Sequence, residues 1–257
     1  MVLCIDIGNS NIVLGGYKGD EACFLARMTT NRVMEADQYA VYLKGMLEMY
    51  DALDEGIEGV MMASVVPALT PVLVHALKHF SPAPPHLLSL ADAGDVHVAI
   101  DNPRELGMDI LASAISVRHT RPLPAVIIDM GTATKLTALD ADGRVPGVAI
   151  APGLFVSLEA LLRQASLLQG ISLDAPSSAI GSNTADSMRS GVVLGSAAML
   201  DGLIDRFAQE MGGLETVVAT GGAAQIVIPH CRRDIEISDT LLLDGLMAVY
   251  RARCGGE

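Results

Sequence analysis

The sequence predicts an α/β protein made of two similar halves, each a mixed sheet flanked by helices, with a cleft between them. Three observations carry that prediction. Ile5-Asp6-Ile7-Gly8-Asn9-Ser10-Asn11 and Ile128-Asp129-Met130-Gly131-Thr132-Ala133-Thr134 each end an apolar strand near an aspartate, turn on a glycine with a small polar tip, and re-enter an apolar run. Each half then continues as a three-strand meander followed by a helix. A further glycine turn, Thr220-Gly221-Gly222, follows a strand late in the second half.

In chain order, residues 2–28 read as three strands. The first ends at Asp6, the second spans about Ile12–Tyr17, Lys18-Gly19-Asp20 turns, and Ala22–Met28 closes the meander. Residues 36–50 read as a helix with Tyr39, Tyr42, Leu43, Met46, Leu47 and Tyr50 on one face. Val60–Val66 is a buried strand, Leu69–Leu77 an amphipathic helix, His86–Leu90 a strand, and Val96–Ile100 a short strand running into the turn signal Asp101-Asn102-Pro103. A helix covers about Leu106–His119. Arg121-Pro122-Leu123-Pro124 separates the halves, residues 1–121 and 122–257. The second half opens on Ala125–Asp129, turns at Asp140-Ala141-Asp142-Gly143, adds a third strand Val145–Ala151 and a helix Leu154–Ala165. After a Ser-rich loop, Ser172–Gly181, comes a long helix over 184–211 whose glycines Gly191, Gly195 and Gly202 suit close packing. Val217–Ala219 is a strand, Ala224–Ile228 a short helix, and Leu241–Arg253 the last helix.

The bulk properties bound the function. A chain of 257 residues with 51% hydrophobic content can bury one large or two intimate cores, built from aliphatics because aromatics reach only 4%. A formal charge of −13 disfavours nucleic acid and anionic membrane as partners. Cys4, Cys23, Cys231 and Cys254 show no paired spacing, and with six histidines they form no zinc pattern, which reads as reduced thiols in the cytoplasm. The chain opens directly on a strand without a signal-peptide pattern. No apolar run reaches the roughly 18–20 residues of a membrane span.

The two tips suit phosphate. Glycine lets backbone approach a ligand closely, and hydroxyls, amides and free N–H groups bind phosphate oxygens. Asp6 and Asp129 can hold a hydrated divalent cation between them and those phosphates. Thr220-Gly221-Gly222 adds an adenosine-side loop. Repeated halves of this kind describe a duplicated ribonuclease-H-like fold of the actin/hexokinase/Hsp70 type, whose first hairpins face each other across a nucleotide cleft. The alternative is two ordinary glycine-turn hairpins in a two-domain protein.

The tips, together with Ser64-Val65-Val66-Pro67, Asp101-Asn102-Pro103, Gly107-Met108-Asp109, Ala149-Ile150-Ala151-Pro152-Gly153-Leu154 and Gly181-Ser182-Asn183-Thr184, resemble type III pantothenate kinases in order and over essentially the whole chain. The resemblance implies ATP-dependent phosphorylation of the primary hydroxyl of pantothenate to 4'-phosphopantothenate, the first step toward coenzyme A. It also implies a homodimer, a divalent cation such as magnesium with ATP, and a monovalent cation, potassium or ammonium. By the same resemblance Asp6, Ile7, Gly8, Asn9, Ser10, Asn11, Ile12 and Val13 form the first phosphate loop, and Asp6 serves the divalent cation. Gly131 and Thr132 contact ATP, with Thr220, Gly221 and Gly222 on the adenosine side. Asp109 accepts the proton of the attacking hydroxyl, Asp129 is the monovalent-cation ligand, and Thr184 is a substrate contact reaching across the dimer. Ile100, Gly107, Met108 and Ile110 fall at the acceptor site. Without the motif, Asp109 reads as a first-turn aspartate interacting with a helix dipole.

Three positions depart from the family pattern. Ile110 stands where Gly-x-Asp-Arg carries arginine, and Ile100 stands where a tyrosine usually precedes Asp-Asn-Pro. A charged contact to the pantothenate carboxylate is worth about 1.5–3 kcal/mol, roughly ten- to a hundredfold in affinity. Arg104 and Arg118 are the nearest cations in sequence. Lys135 follows the second tip where a small or polar residue is usual. It reads as a solvent-facing residue on the outer side of the hairpin, with a replacement positive charge at the phosphate cleft as the alternative. The function expected is therefore pantothenate phosphorylation. The alternatives are a kinase for another hydroxyl acceptor and a non-catalytic nucleotide-binding regulatory paralogue, the latter disfavoured by retention of Asp6, Asp109, Asp129 and Thr132.

Overall fold

Six residues, Val2–Ile7, form the first strand (β1) of the computed structural model, which describes residues 1–164, 172–174, 176 and 178–254. β1 is buried along nearly its whole length except at its penultimate residue, Asp6. A strand covered on both faces reads as a near-continuous apolar run. β2 (Asn11–Lys18) and β3 (Glu21–Thr29) complete an antiparallel meander. Next come α1 (Ala36–Met49), β4 (Gly59–Ser64) parallel to β1, α2 (Thr70–Leu77) and β5 (His86–Leu87) parallel to β4. The sheet order is β3-β2-β1-β4-β5. β6 (His97–Val98) and α3 (Met108–Thr120) follow.

The same construction then recurs. β7 (Ala125–Met130) and β8 (Ala133–Leu139) form an antiparallel hairpin, β9 (Arg144–Val145) is short, and β10 (Val148–Pro152) pairs antiparallel with β8. After α4 (Leu154–Gln164), α5 (Thr184–Arg189) and α6 (Gly195–Glu210) come β11 (Thr216–Thr220), α7 (Ala224–Val227) and β12 (Glu236–Ile237). The order β10-β8-β7-β11-β12 matches the first sheet strand for strand, with β11 parallel to β7 as β4 is to β1. The burial of β7 repeats that of β1, again with an aspartate as the partly exposed penultimate residue. α8 (Leu241–Cys254) is the last element described. Among the described residues no helix is long and apolar enough to cross a membrane.

The chain divides into two units that differ from halves at 1–121 and 122–257. One comprises Met1–His97, Asp101–Thr120 and Thr240–Glu257; the other comprises Val98–Ile100 and Arg121–Asp239. Two contacts within the first unit explain why α8 belongs there. Gly245 of α8 lies against the Ala112 backbone of α3 so closely that a Cβ would overlap the Ala112 carbonyl. Tyr17 at the far end of β2 is 1% exposed and donates a 2.7 Å hydrogen bond to Asp244 Oδ1, while Thr240 Oγ1 donates to Oδ2 at 2.8 Å. Burial first, and then the Asp244 hydrogen bond, push the Tyr17 phenol well above its ordinary range.

Several elements differ locally from their sequence patterns. In α1 only Tyr39, Leu43 and Leu47 are buried, whereas Tyr42 is 56% exposed and Tyr50 stacks on Phe24 with ring centroids 4.6 Å apart. The strand expected to reach Leu90 stops at Leu87, because Ser89 turns the chain by donating from N and Oγ to Asp92 Oδ2 at 2.9 and 2.8 Å. Val96–Ile100 keeps only two strand residues, His97–Val98. The strand expected over Val145–Ala151 is split between β9 and β10 by Pro146, which has no N–H for a ladder. The long helix over 184–211 is α5, a π-helical turn at Ser190–Leu194, and α6. At Gly191, Gly195 and Gly202 a Cβ would meet nothing within 4 Å among the described residues, so close packing does not explain these glycines. The end of the Leu154–Ala165 helix at Ala165, and Ala175 and Ser177 of the Ser-rich loop, lie outside the described residues.

Candidate functional site

The first tip leaves β1 at Asp6, whose cross-strand partner on β2 is Val13. The Gly8 N–H donates to the Asn11 carbonyl at 3.0 Å and closes the turn. Two groups beyond β3 brace it. Thr30 donates from Oγ1 to the Gly8 carbonyl at 2.7 Å and from N to the Ser10 carbonyl at 2.9 Å, and Arg32 donates to Asn9 Oδ1 at 2.7 Å. Asn9, Ser10 and Asn11 are exposed, as a ligand-binding tip requires. Of the expected phosphate loop, Ile7 and Ile12 have side chains 0% exposed in the first unit's core, which leaves their backbones to face a ligand.

In the second unit β7, β8, β10 and β11 bring another group of predicted residues to one sheet end. Gly131 N–H donates to the Ala133 carbonyl at 3.1 Å, and Thr132 is exposed. Behind this tip sits Gly153, whose N–H donates to the Thr132 carbonyl at 3.1 Å. A Cβ on Gly153 would lie 2.5 Å from that same carbonyl oxygen, so the Ile-Ala-Pro-Gly segment touches the tip through a glycine. Thr220 pairs with Asp129 in the parallel register of β11 and β7. Gly221 follows with φ +96°, and the Ala223 N–H donates to the Met130 carbonyl at 3.2 Å. Asp129, Gly131, Thr132 and the Thr220-Gly221-Gly222 turn therefore cluster at the carboxyl ends of adjacent parallel strands, the end where open α/β sheets take ligands.

Lys135 is not the solvent-facing residue expected. It is the cross-strand partner of Asp129, its side chain is 16% exposed, and Nζ lies 2.6 Å from Asp129 Oδ2. A tip of three residues between Met130 and Thr134 sets this register. Sequence reasoning also missed Thr30, Arg32 and Gly153 as supports of the tips. Only Lys135 carried a signal: the loop length after Asp129 places it directly opposite.

The residues expected at the acceptor site do not all belong to one unit. Asp109 is the second residue of α3 and is partly exposed; its Oδ1 accepts from the Ile110 N–H at 2.8 Å. Gly107 precedes the helix and accepts from the Leu111 N–H at 3.1 Å, and its missing Cβ leaves room for the Asp109 carboxylate. Met108 and Ile110 are partly exposed. Arg118 lies eight residues beyond Ile110, about 12 Å along the helix axis. Its Nε is buried without a hydrogen-bond partner, which does not suit it to replace an arginine at position 110. Ile100 belongs to the second unit, where the neighbouring Ala99 N–H donates to the Val145 carbonyl at 3.0 Å. Thr184 is exposed at the start of α5, which Asn183 caps by accepting from the Asp186 N–H at 3.0 Å. Among the described residues no group of three or more His, Cys, Asp or Glu side chains is arranged to hold a metal ion.

Comparison with known proteins shows the family and the fold. A family profile described as type III pantothenate kinase matches residues 2–206. The type III pantothenate kinase of Moorella thermoacetica is 37% identical over 251 residues, covering 97% of this chain and 98% of the relative. That of Exiguobacterium sp. is 36% identical over 252 residues, with 97% and 98% covered. Among solved structures, the activator of the 2-hydroxyisocaproyl-CoA dehydratase from Clostridium difficile, with bound ADPNP, aligns at TM-score 0.59 and 15% identity over 99% of this chain and 96% of that one. Component A of the Acidaminococcus fermentans (R)-2-hydroxyglutaryl-CoA dehydratase aligns at TM-score 0.56 and 15% identity, covering 100% and 99%. At these identities the structures speak for the fold alone: mixed α/β halves of the actin/hexokinase type. The near full-length relatives settle the family, and the chain belongs to the type III pantothenate kinases.

Proposed function

We propose that this protein transfers the γ-phosphoryl group of ATP to the primary hydroxyl of pantothenate, giving 4'-phosphopantothenate and ADP. The observation that carries the reading is the near full-length match to type III pantothenate kinases. The geometry adds support. In each unit an exposed polar tip follows a partly exposed strand-end aspartate, and phosphoryl transfer asks a protein mainly to position groups and neutralise charge. Gly131 supplies a particular point. A Cβ there would sit 3.5 Å from Asp129 Oδ1, an ordinary contact, so the fold itself does not require glycine. A phosphate approaching the backbone does.

In this reading the backbone and hydroxyls of the two tips bind phosphate oxygens. Asp6 would hold the divalent cation that accompanies ATP, which would supply positive charge to neutralise the phosphates. Asp109 takes the hydroxyl proton as the acceptor oxygen bonds to the γ-phosphorus and the bond to the ADP oxygen breaks. Asp109 sits in the first turn of α3, where its Oδ1 accepts from the Ile110 N–H at 2.8 Å. Asp129 takes a positive charge in this reading, which the family resemblance implies to be potassium or ammonium. A homodimer in the cytoplasm completes the proposal. Ile150, Phe155, Val156 and Leu161, from 41% to 69% exposed on β10 and α4, support a covered surface on the second unit.

ADP release coupled to pantothenate tests the reading. Asp109→Asn should lower turnover by about 10²–10⁴-fold with ATP binding intact, and unchanged turnover would remove Asp109 from the role. Ile110 offers the acceptor carboxylate no charge, so Ile110→Arg should lower the pantothenate KM by roughly ten- to a hundredfold.

A further inference from the structure

We propose that Lys135 is a tethered replacement for the monovalent cation, and that catalysis by this chain requires neither potassium nor ammonium. The inference rests on the reading that the Asp129 end of β7 forms part of the ATP site. The carboxylate to which the resemblance assigns the free cation already accepts a primary ammonium: Lys135 Nζ is 2.6 Å from Asp129 Oδ2. The two residues are directly opposite on β7 and β8, and their side chains are only 16% and 28% exposed, so the pair is held by the hairpin rather than by a chance surface encounter.

The donor set therefore does not fit a free cation. Potassium binding wants oxygen ligands and a carboxylate whose charge is unshared. At Asp129 a second cation would meet a positive charge already in contact with the same carboxylate, and like charges this close repel strongly where water is partly excluded. A lysine head group is a substituted ammonium ion with the same unit charge and three N–H donors. Tethering it by four methylenes removes its dependence on bulk concentration. The hairpin fold does not itself demand a cation at this register, because Val13 takes the equivalent position opposite Asp6.

The test is pantothenate-dependent ADP release in choline, sodium, potassium and ammonium buffers, with thermal melting in the same buffers. For the natural chain, rates should agree within about twofold across all four, and potassium should leave the melting temperature unmoved. Lys135→Ala should lose at least tenfold in choline and recover with potassium or ammonium, and potassium should raise its melting temperature. A natural chain that is inactive in choline and active in potassium overturns the proposal. So does a folded Lys135→Ala protein that keeps its rate in choline or is not rescued. Should Lys135→Ala fail to fold, the natural chain's own cation profile still decides. Absence of pantothenate turnover in every buffer counts against the proposed function instead, and the melting comparison then decides the Lys135 assignment: potassium must stabilise the variant alone.

Discussion

The β1–β2 and β7–β8 hairpins share the same strand-end aspartate and the same glycine turn, and differ in what surrounds them. Ile7 and Ile12 flank the first tip and Met130 and Thr134 the second, so the second is one residue shorter. Side chains from beyond β3, Thr30 and Arg32, brace the first tip. Backbone following β10 and β11 braces the second through Gly153 and Ala223. Opposite the aspartate stands Val13 in one hairpin and Lys135 in the other. The repeated turn thus serves two electrostatic ends. Asp6 meets an apolar neighbour across the strand, and Asp129 is partnered by a cation the chain itself supplies. A duplicated motif preserves backbone geometry while its cross-strand neighbours set the chemistry.

Exchanging those neighbours is the sharpest way to break the comparison. Val13→Lys would copy the second hairpin into the first and set an ammonium against Asp6. Turnover should fall by about 10²-fold or more, in keeping with loss of a charge-stabilising group, with magnesium affinity reduced. A Val13→Lys protein of normal kcat would mean that Asp6 does not serve the divalent cation. Next in size comes the support of the second tip. Gly153→Ala drives a methyl against the Thr132 backbone, 2.5 Å from its oxygen and 2.8 Å from its carbon, and should cost about 1–3 kcal/mol in urea unfolding. Gly131→Ala should leave unfolding unchanged and raise the KM for ATP; the reverse pattern would mean that packing rather than ligand selects glycine there.

The smallest effect lies at the far end of the first hairpin, where Tyr17 ties β2 to Asp244 of α8. The Tyr17 pKa is raised on folding by burial and by the Asp244 hydrogen bond. Its contribution to stability is therefore complete below its unfolded value, about 10, and is lost as pH rises above that. Tyr17→Phe should cost about 1 kcal/mol at neutral pH and flatten the alkaline loss of stability seen by thermal melting. An alkaline slope identical to that of the natural chain would remove Tyr17 as its source.

How much of this was legible differs by element. β1 and β7 were readable because a strand covered on both faces is apolar almost throughout and its aspartate interrupts the run visibly. The tips were readable because glycine beside small polar residues has few other uses. The placement of α8 was not, because an apolar helix face specifies burial but not the surface that buries it. Gly245 against Ala112 and Tyr17 against Asp244 join residues far apart in the chain. Tyr42 and Tyr50 misled for a related reason: helical spacing puts them on one face with Leu43, but of α1 only Tyr39, Leu43 and Leu47 are buried.

By itself the sequence determined the duplicated strand, turn and strand plan and the family, since these depend on residue type and local order. Only the tertiary structure decided which unit the last helix joins, which residues brace each tip, and that Lys135 turns inward to Asp129. Those outcomes depend on register and on long-range packing, where a tip shorter by one residue selects the partner that an aspartate meets across the strand.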